Sequence, residues 1–295
     1  MELSVLPYVR GGVCADPDYM VGLARHAESL GFESIVAVEH PLVIGDYTSR
    51  YPYTSSGRMP LPDDCPIPDP VDLLAFVAGA TSTIGLATGV LILPAHHPVT
   101  LAKRLATVDV LSKGRLRLVI GVGWLREELE ACGADFDTRG RRTDESIDVL
   151  RALWADSGER GASHEGEFFR FGAAHCYPKP ARAGGVPIHI GGHSTASIRR
   201  AARRGDGWVP LGLTGGELAV ALAALRRETL EAGRDPDAIE LTLPGGLVQN
   251  LTADAVEELA AAGARRITVA SIAEELEAAC DELSALAERV GLQPR

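Results

Sequence analysis

The chain has 295 residues, 46% hydrophobic and 23% charged, enough to bury a large core in one α/β barrel or in two smaller domains. A formal net charge of −11 argues against a nucleic-acid or anionic-membrane surface, and no apolar run approaches the roughly 18 residues of a membrane span. The cysteines Cys14, Cys65, Cys132, Cys176 and Cys280 never form Cys-x-x-Cys, and the opening Met1-Glu2-Leu3-Ser4 lacks a basic leader, so the expectation is a cytoplasmic protein with reduced thiols and no disulfide or zinc framework.

In chain order, Leu3 to Val9 reads as a short apolar strand. Asp16 is placed as an N-cap with Pro17 at the first helical position. Met20, Leu23, Ala24, Ala27 and Leu30 then form one apolar stripe, closed by Gly31. Phe32 to Val38 is a second strand, ending in Glu39-His40-Pro41. Leu42 to Pro70 is rich in Pro, Gly, Tyr and Asp without periodicity, as a lid or substrate-binding insertion would be.

Ile84 to Leu93 is apolar and β-branched, the pattern of a strand buried on both faces. The helix Val99 to Leu111 follows, with Leu101, Leu105, Val108 and Leu111 at helical spacing, and Leu116 to Val122 is another buried strand. Leu125 to Gly133 and Asp144 to Trp154 read as two consecutive helices. Gly166 to Phe171 carries a hairpin signal within a second insertion. Strands at Ile188 to Gly191, Trp208 to Pro210, Ile239 to Leu243 and Arg266 to Val269 each precede a helix. The last helix, Ile272 to Arg289, opens with the capping-box pattern Ser271-x-x-Glu274.

About eight strand-helix units in succession predict a (β/α)8 TIM barrel, an α/β fold, as a single domain over 1–295 with insertions after strands 2 and 4, at about 41–70 and 157–186. A doubly wound open sheet is the competing architecture. It wants a Gly-rich fingerprint after its first strand, and Arg10-Gly11-Gly12 does not supply one.

In a parallel barrel, loops at strand C-termini face the ligand. Glu39-His40 sits at such an end, where an imidazole either exchanges protons with a bound molecule or simply bonds backbone. Gly89-Val90 inside a buried strand marks a bulge against a ligand or a packing glycine. Gly121-Val122-Gly123 and Ile190-Gly191-Gly192-His193 both link a strand to a helix and expose N–H groups suited to phosphate. Arg139, Arg141 and Arg142 are a solvated helix start by default, or a phosphate or carboxylate partner at the barrel mouth. No metal is expected, because the first and last strands carry no ligand residues, and no Gly-x-Ser-x-Gly elbow supports a serine hydrolase.

Several of these segments also occur together in one family. Glu39-His40, Tyr51-Pro52-Tyr53, Leu86 to Pro94, Ala106-Thr107-Val108-Asp109, Leu111-Ser112-Lys113-Gly114-Arg115, Gly121-Val122-Gly123-Trp124, Arg139-Gly140-x-Arg142-x-Asp144-Glu145, Pro178-Lys179-Pro180, Ile190-Gly191-Gly192 and Gly205-Asp206-Gly207-Trp208 resemble the luciferase-like monooxygenases, most closely their F420-dependent oxidoreductase branch. The dense match runs from about Leu3 to Trp208. The resemblance implies coenzyme F420, with FMN as the alternative, lying across the strand ends and moving hydride to or from an unidentified small organic substrate. It implies a bulge at Thr88-Gly89-Val90 against the ring, often with a non-proline cis peptide. Gly123, Trp124, Arg142, Gly191, Gly192 and His193 would hold the cofactor, and His40 would stand beside the reacting carbon with Glu39 supporting it. Many relatives carry Asp where this chain has Glu39. A homodimer pairing through the Val99–Leu111 helix is expected, with a cofactor-regenerating reductase or dehydrogenase that forms no stable complex. An FMN-dependent monooxygenase fed by a partner reductase and a non-catalytic flavin-binding protein are the alternative readings.

Overall fold

The structure, a computed structural model, describes residues 1–155, 158–213 and 215–294. Its strands are β1 (Glu2–Leu6), β2 (Ser34–Ala37), β3 (Gly85–Thr88), β4 (Leu91–Ile92), β5 (Leu116–Gly121), β6 (Ala162–Glu165), β7 (Arg170–Ala174), β8 (Ile188–Gly191), β9 (Gly207–Val209), β10 (Glu240–Leu247) and β11 (Arg266–Ala270). All but β6 and β7 form one parallel sheet in the order β3-β2-β1-β11-β10-β9-β8-β5-β4, and pairing of β3 with β5 closes it. The expected strand over Ile84 to Leu93 is two pieces, β3 and β4, separated by a cis Gly89–Val90 peptide. Counted as one broken stave, they make this an eight-stave barrel, as expected.

The helices are α1 (Pro17–Leu30), α2 (Pro70–Ala80), α3 (Pro98–Leu111), α4 (Arg126–Ala131), α5 (Arg139–Trp154), α6 (Thr195–Arg204), α7 (Gly215–Glu231), α8 (Ala253–Ala261) and α9 (Leu276–Val290). Their starts are built locally. Asp16 accepts from the N–H groups of Asp18 and Tyr19 ahead of α1, and Asp69 accepts from Val71 and Asp72 ahead of α2, each followed by Pro at the first helical position. Gly31 closes α1 in the left-handed region at φ 88°. None of the described helices is long and apolar enough to cross a membrane.

Three local expectations are corrected. α5 begins at Arg139 rather than Asp144, so Arg139, Arg141 and Arg142 lie in its first turn. No capping box forms at Ser271: its hydroxyl donates to Glu282 at 3.0 Å and accepts from Ala273 N, and α9 starts only at Leu276. The hairpin is longer than its signal. Gly166 to Phe169 is the turn, closed by Gly166 N donating to Phe169 O at 3.0 Å, and β6 and β7 flank it. The expected start of the second insertion, Ser157, falls outside the described residues.

Alternation of side chains sorts the strands into two faces. Leu3, Val5, Ile35, Leu86, Leu116, Leu118, Ile188, Leu243 and Ile267 are essentially inaccessible and pack with Leu23, Leu74, Leu101, Leu150 and Leu283 of the helices. The intervening positions point into the barrel and are polar at its N-terminal end. There Arg117 bonds Glu33 at 2.6 Å, and Arg266 bonds Glu33 at 2.7 Å and Glu2 at 2.8 Å. Burial pushes the Glu33 carboxyl up, but the two guanidiniums override it and hold the group at about 2. A cavity of about 520 Å³ opens here, lined by Arg117, His189, Glu240 and Arg266. Its lining interleaves guanidiniums with carboxylates, and it lies at the N-terminal face, where barrels keep stability rather than chemistry.

Candidate active site

The opposite end collects the chain that follows β2, β4, β5 and β8. The glycines come first. The strand is interrupted at Gly89-Val90 by a cis peptide, and a Cβ on Gly89 would collide with Val36. A Cβ on Gly121 or on Gly191 would come within 2.8 Å of a Val90 methyl group. Two glycines from different strands therefore leave room for one valine at the barrel mouth.

Thr88 plays a different part from the one expected. Its hydroxyl donates to Val119 O at 2.7 Å and accepts from Val119 N at 2.8 Å, and the residue is fully buried. The broken stave leaves the Val119 backbone between two separate pairings of β5, one with β3 and one with β4. The threonine side chain repairs that gap, and only the next two residues reach the mouth.

His40 follows β2. Its Nδ1 lies 3.1 and 3.2 Å from the two carboxylate oxygens of Glu128 on α4, and Glu128 also accepts from Leu42 N at 3.2 Å. The His40 side chain keeps 13% of its surface, and no described residue bonds its Nε2. Glu39, the predicted support of His40, points elsewhere: it accepts from Ile92 N at 2.5 Å and pairs with His96 Nε2 at 2.8 Å. Successive residues of an extended segment face opposite ways, so adjacent Glu and His cannot share one side. Sequence reading missed Glu128. The available signal was a second acid beside Glu127 on a short helix with an apolar face.

Aromatic rings rim this mouth. Trp124, after β5, meets Tyr47 at 5.4 Å, Tyr51 at 5.1 Å and His40 at 6.4 Å between ring centres, all edge-on. Tyr51 continues to Tyr53 at 5.4 Å, and Tyr53 to His193, after β8, at 6.2 Å. The 38–69 insertion thus spans the mouth from His40 to His193. Glu127 anchors it, accepting from Thr48 N at 2.7 Å, Thr48 Oγ1 at 2.9 Å and Ser49 Oγ at 2.7 Å. Partial burial pushes this carboxyl up, but these donors bring it down to about 2.

Gly191-Gly192-His193 leads into α6. Gly192 adopts φ 97°, Trp208 Nε1 donates to its carbonyl at 2.9 Å, and Ser194 caps the helix by accepting from Ser197 N. The first-turn N–H groups at Thr195 and Ala196 have no carbonyl of their own helix to bond, and helix N-termini in general favour anions. Arg142 makes no hydrogen bond to these loops among the described residues. Its guanidinium lies 4.9 Å from the centre of the Phe169 ring under the hairpin turn, and its Nε is buried without a hydrogen-bond partner among the described residues. Arg139, one turn earlier, donates to Gly123 O at 3.3 Å instead.

A family model described as luciferase-like monooxygenase matches residues 4–291. The chain belongs to the luciferase-like monooxygenase family. Among curated members, an uncharacterized protein of Mycobacterium tuberculosis (strain ATCC 25618 / H37Rv) is 36% identical over 63% of this chain, a match that spans 65% of that relative's own length. The F420-dependent hydroxymycolic acid dehydrogenase of the same organism is 31% identical over 74% of this chain and 56% of its own. Solved structures agree on the fold. The monooxygenase RslO1 from Streptomyces bottropensis superposes with a TM-score of 0.78 at 22% identity, covering 98% of both chains. An F420-dependent secondary alcohol dehydrogenase in complex with an F420-acetone adduct superposes at 0.75 with 16% identity, covering 98% of this chain and 99% of that one. The luciferase-like barrel here opens at its C-terminal end beside His40, Val90, Trp124 and His193.

Proposed function

We propose that this protein is an F420-dependent oxidoreductase that interconverts an alcohol and its carbonyl compound. The observation that carries the reading is the glycine-cleared mouth, with Val90 standing over Gly121 and Gly191 between His40 and the N-terminus of α6. A flat ring fits a surface from which side chains have been removed, and a phosphate fits the free N–H groups of α6. Val90 with the Gly89 backbone would hold the ring, and Gly123, Gly192 and His193 would line the phosphate side. The bound deazaflavin supplies a carbon that takes or gives hydride.

This chain's own residues do the rest. His40 Nε2 takes the substrate hydroxyl proton as the carbon-bound hydrogen leaves with its electron pair, and returns it in the reverse direction. Trp124 and the tyrosines of the insertion exclude water from that step. A cavity of about 260 Å³, lined by Tyr47, Met59 and Leu61 among others, offers the substrate room inside the insertion. Both F420-dependent relatives are dehydrogenases, which supports the alcohol–carbonyl pair.

Trp124 reports on the site directly. Titration of tryptophan fluorescence with F420 and with FMN is expected to give micromolar or tighter binding of F420, about 8 kcal/mol or more, and weaker FMN. Tighter FMN, with oxygen consumed on reduction, would select the monooxygenase reading instead. Binding without turnover of any alcohol or ketone would leave a cofactor-binding protein.

We also propose a homodimer paired through α2 and α3. Phe76, Val99, Val110 and Leu111 are apolar yet exposed there, Leu111 to 69%.

A further inference from the structure

We infer that Glu128 is the positioning residue of the site: it fixes His40 as the Nδ1–H tautomer and so leaves the Nε2 lone pair facing the mouth. The inference rests on the role of His40 given above, but its first readout does not. A carboxylate accepts hydrogen bonds and donates none, so the ring nitrogen 3.1 and 3.2 Å from its two oxygens must carry the hydrogen. Nε2 is then the bare nitrogen, on a ring that retains some exposure and bonds no other described residue. A free imidazole prefers the other tautomer, with hydrogen on Nε2, which would offer a substrate hydroxyl a donor where an acceptor is needed.

The surroundings make the arrangement specific. Glu128 is 1% exposed, and its third contact is Leu42 N at 3.2 Å. Pro41 has no N–H and holds His40 extended, so Leu42 offers the first backbone donor after the histidine. One carboxylate therefore grips the ring and the backbone two residues on, pinning the His40-Pro41-Leu42 corner from both ends. Burial leaves the carboxylate few other partners, and the positive charge that His40 gains on taking a proton is balanced at close range. Neighbouring Glu127 holds Thr48 and Ser49 of the same insertion. The first turn of α4 thus sets both the histidine and the segment that covers it.

The test uses ring-¹⁵N-labelled histidine in the protein without cofactor, with the His40 signals assigned by their loss in His40→Ala. At a pH where the imidazole is neutral, long-range proton–nitrogen correlation is expected to show Nδ1 protonated and Nε2 bare. An Nε2–H ring in the wild type would overturn the inference at once, whatever cofactor the protein uses. Glu128→Leu is expected to release the ring to a mixture dominated by Nε2–H, and an unchanged Nδ1–H ring would also overturn it. Should Glu128→Leu fail to fold, Glu128→Gln serves, since its amide oxygen can keep both contacts without the charge. That variant is expected to retain the tautomer and cofactor affinity while hydride transfer slows about 10-fold or more. Wild-type transfer in Glu128→Gln would remove the carboxylate charge from the mechanism and overturn its role. The expected tautomer in a protein that turns over no F420 would instead sink only the functional reading.

Discussion

Glu39 turns its back on its neighbour His40 and bonds His96, 57 residues further on, at 2.8 Å. The same carboxylate accepts from Ile92 N in β4. Having lost continuity with β3, β4 depends on such outside contacts, and Glu39 is one of them. This buried acid ties the second half of the broken stave to the end of β2.

Glu39→Gln is therefore expected to act on stability rather than on chemistry. Its amide keeps one acceptor and loses the charge, a change that costs about 1–3 kcal/mol at a buried hydrogen-bonded site. Urea unfolding checks the loss, and hydride transfer per folded molecule should stay near wild type. A rate loss with unchanged stability would restore the catalytic role that sequence alone suggests.

His40→Ala should do the reverse. Removing a positioned acid–base group lowers the transfer rate by about 10²-fold or more, while cofactor affinity changes by less than about 1.4 kcal/mol, a factor of ten. Stopped-flow recording of deazaflavin absorbance with a secondary alcohol separates the two quantities. Near-wild-type transfer would remove His40 from the reaction.

Gly121→Ala tests the mouth itself. The added carbon would sit 2.8 Å from a Val90 methyl, so Val90 must shift into the space assigned to the ring. F420 affinity is expected to fall at least about tenfold, or 1.4 kcal/mol, with a melting temperature close to that of the parent. Unchanged affinity would place the ring elsewhere.

Acid should loosen the barrel floor. Glu33 is held at about 2 against an ordinary 4.5, so its contribution is complete above 4.5 and disappears as pH falls toward 2. For this mostly buried group the shift corresponds to about 3 kcal/mol. Urea midpoints measured from pH 7 down to pH 3 should fall steeply in the wild type and less steeply in Glu33→Gln, which starts lower. Parallel profiles would show that Glu33 is not the group responsible.

The proposed dimer is tested by sedimentation at micromolar protein. The expected mass is twice the 31.2 kDa of one chain, and Leu111→Glu should halve it. A monomer in the wild type would leave the exposed Phe76 and Leu111 to another partner.

By itself the sequence determined what local rules control. The eight repeating units, the capped starts of α1 and α2, the glycine stop at Gly31 and the strand-end positions of His40, Gly123 and Gly191 all follow from periodicity, capping and backbone freedom. These act over a few residues, so one chain segment contains the whole cause. The motif match also carried the family. Tertiary structure alone decided which side chain each polar group meets. Glu128 reaches His40 across 88 residues and Thr88 repairs the Val119 backbone across 31. Arg142 sets its guanidinium 4.9 Å from the centre of the Phe169 ring, 27 residues on. Such pairings depend on how strands close into a ring and which way each residue faces within it. A chain neighbour such as Glu39 looks like the natural partner of His40, but the alternation of an extended backbone sends it to the other side.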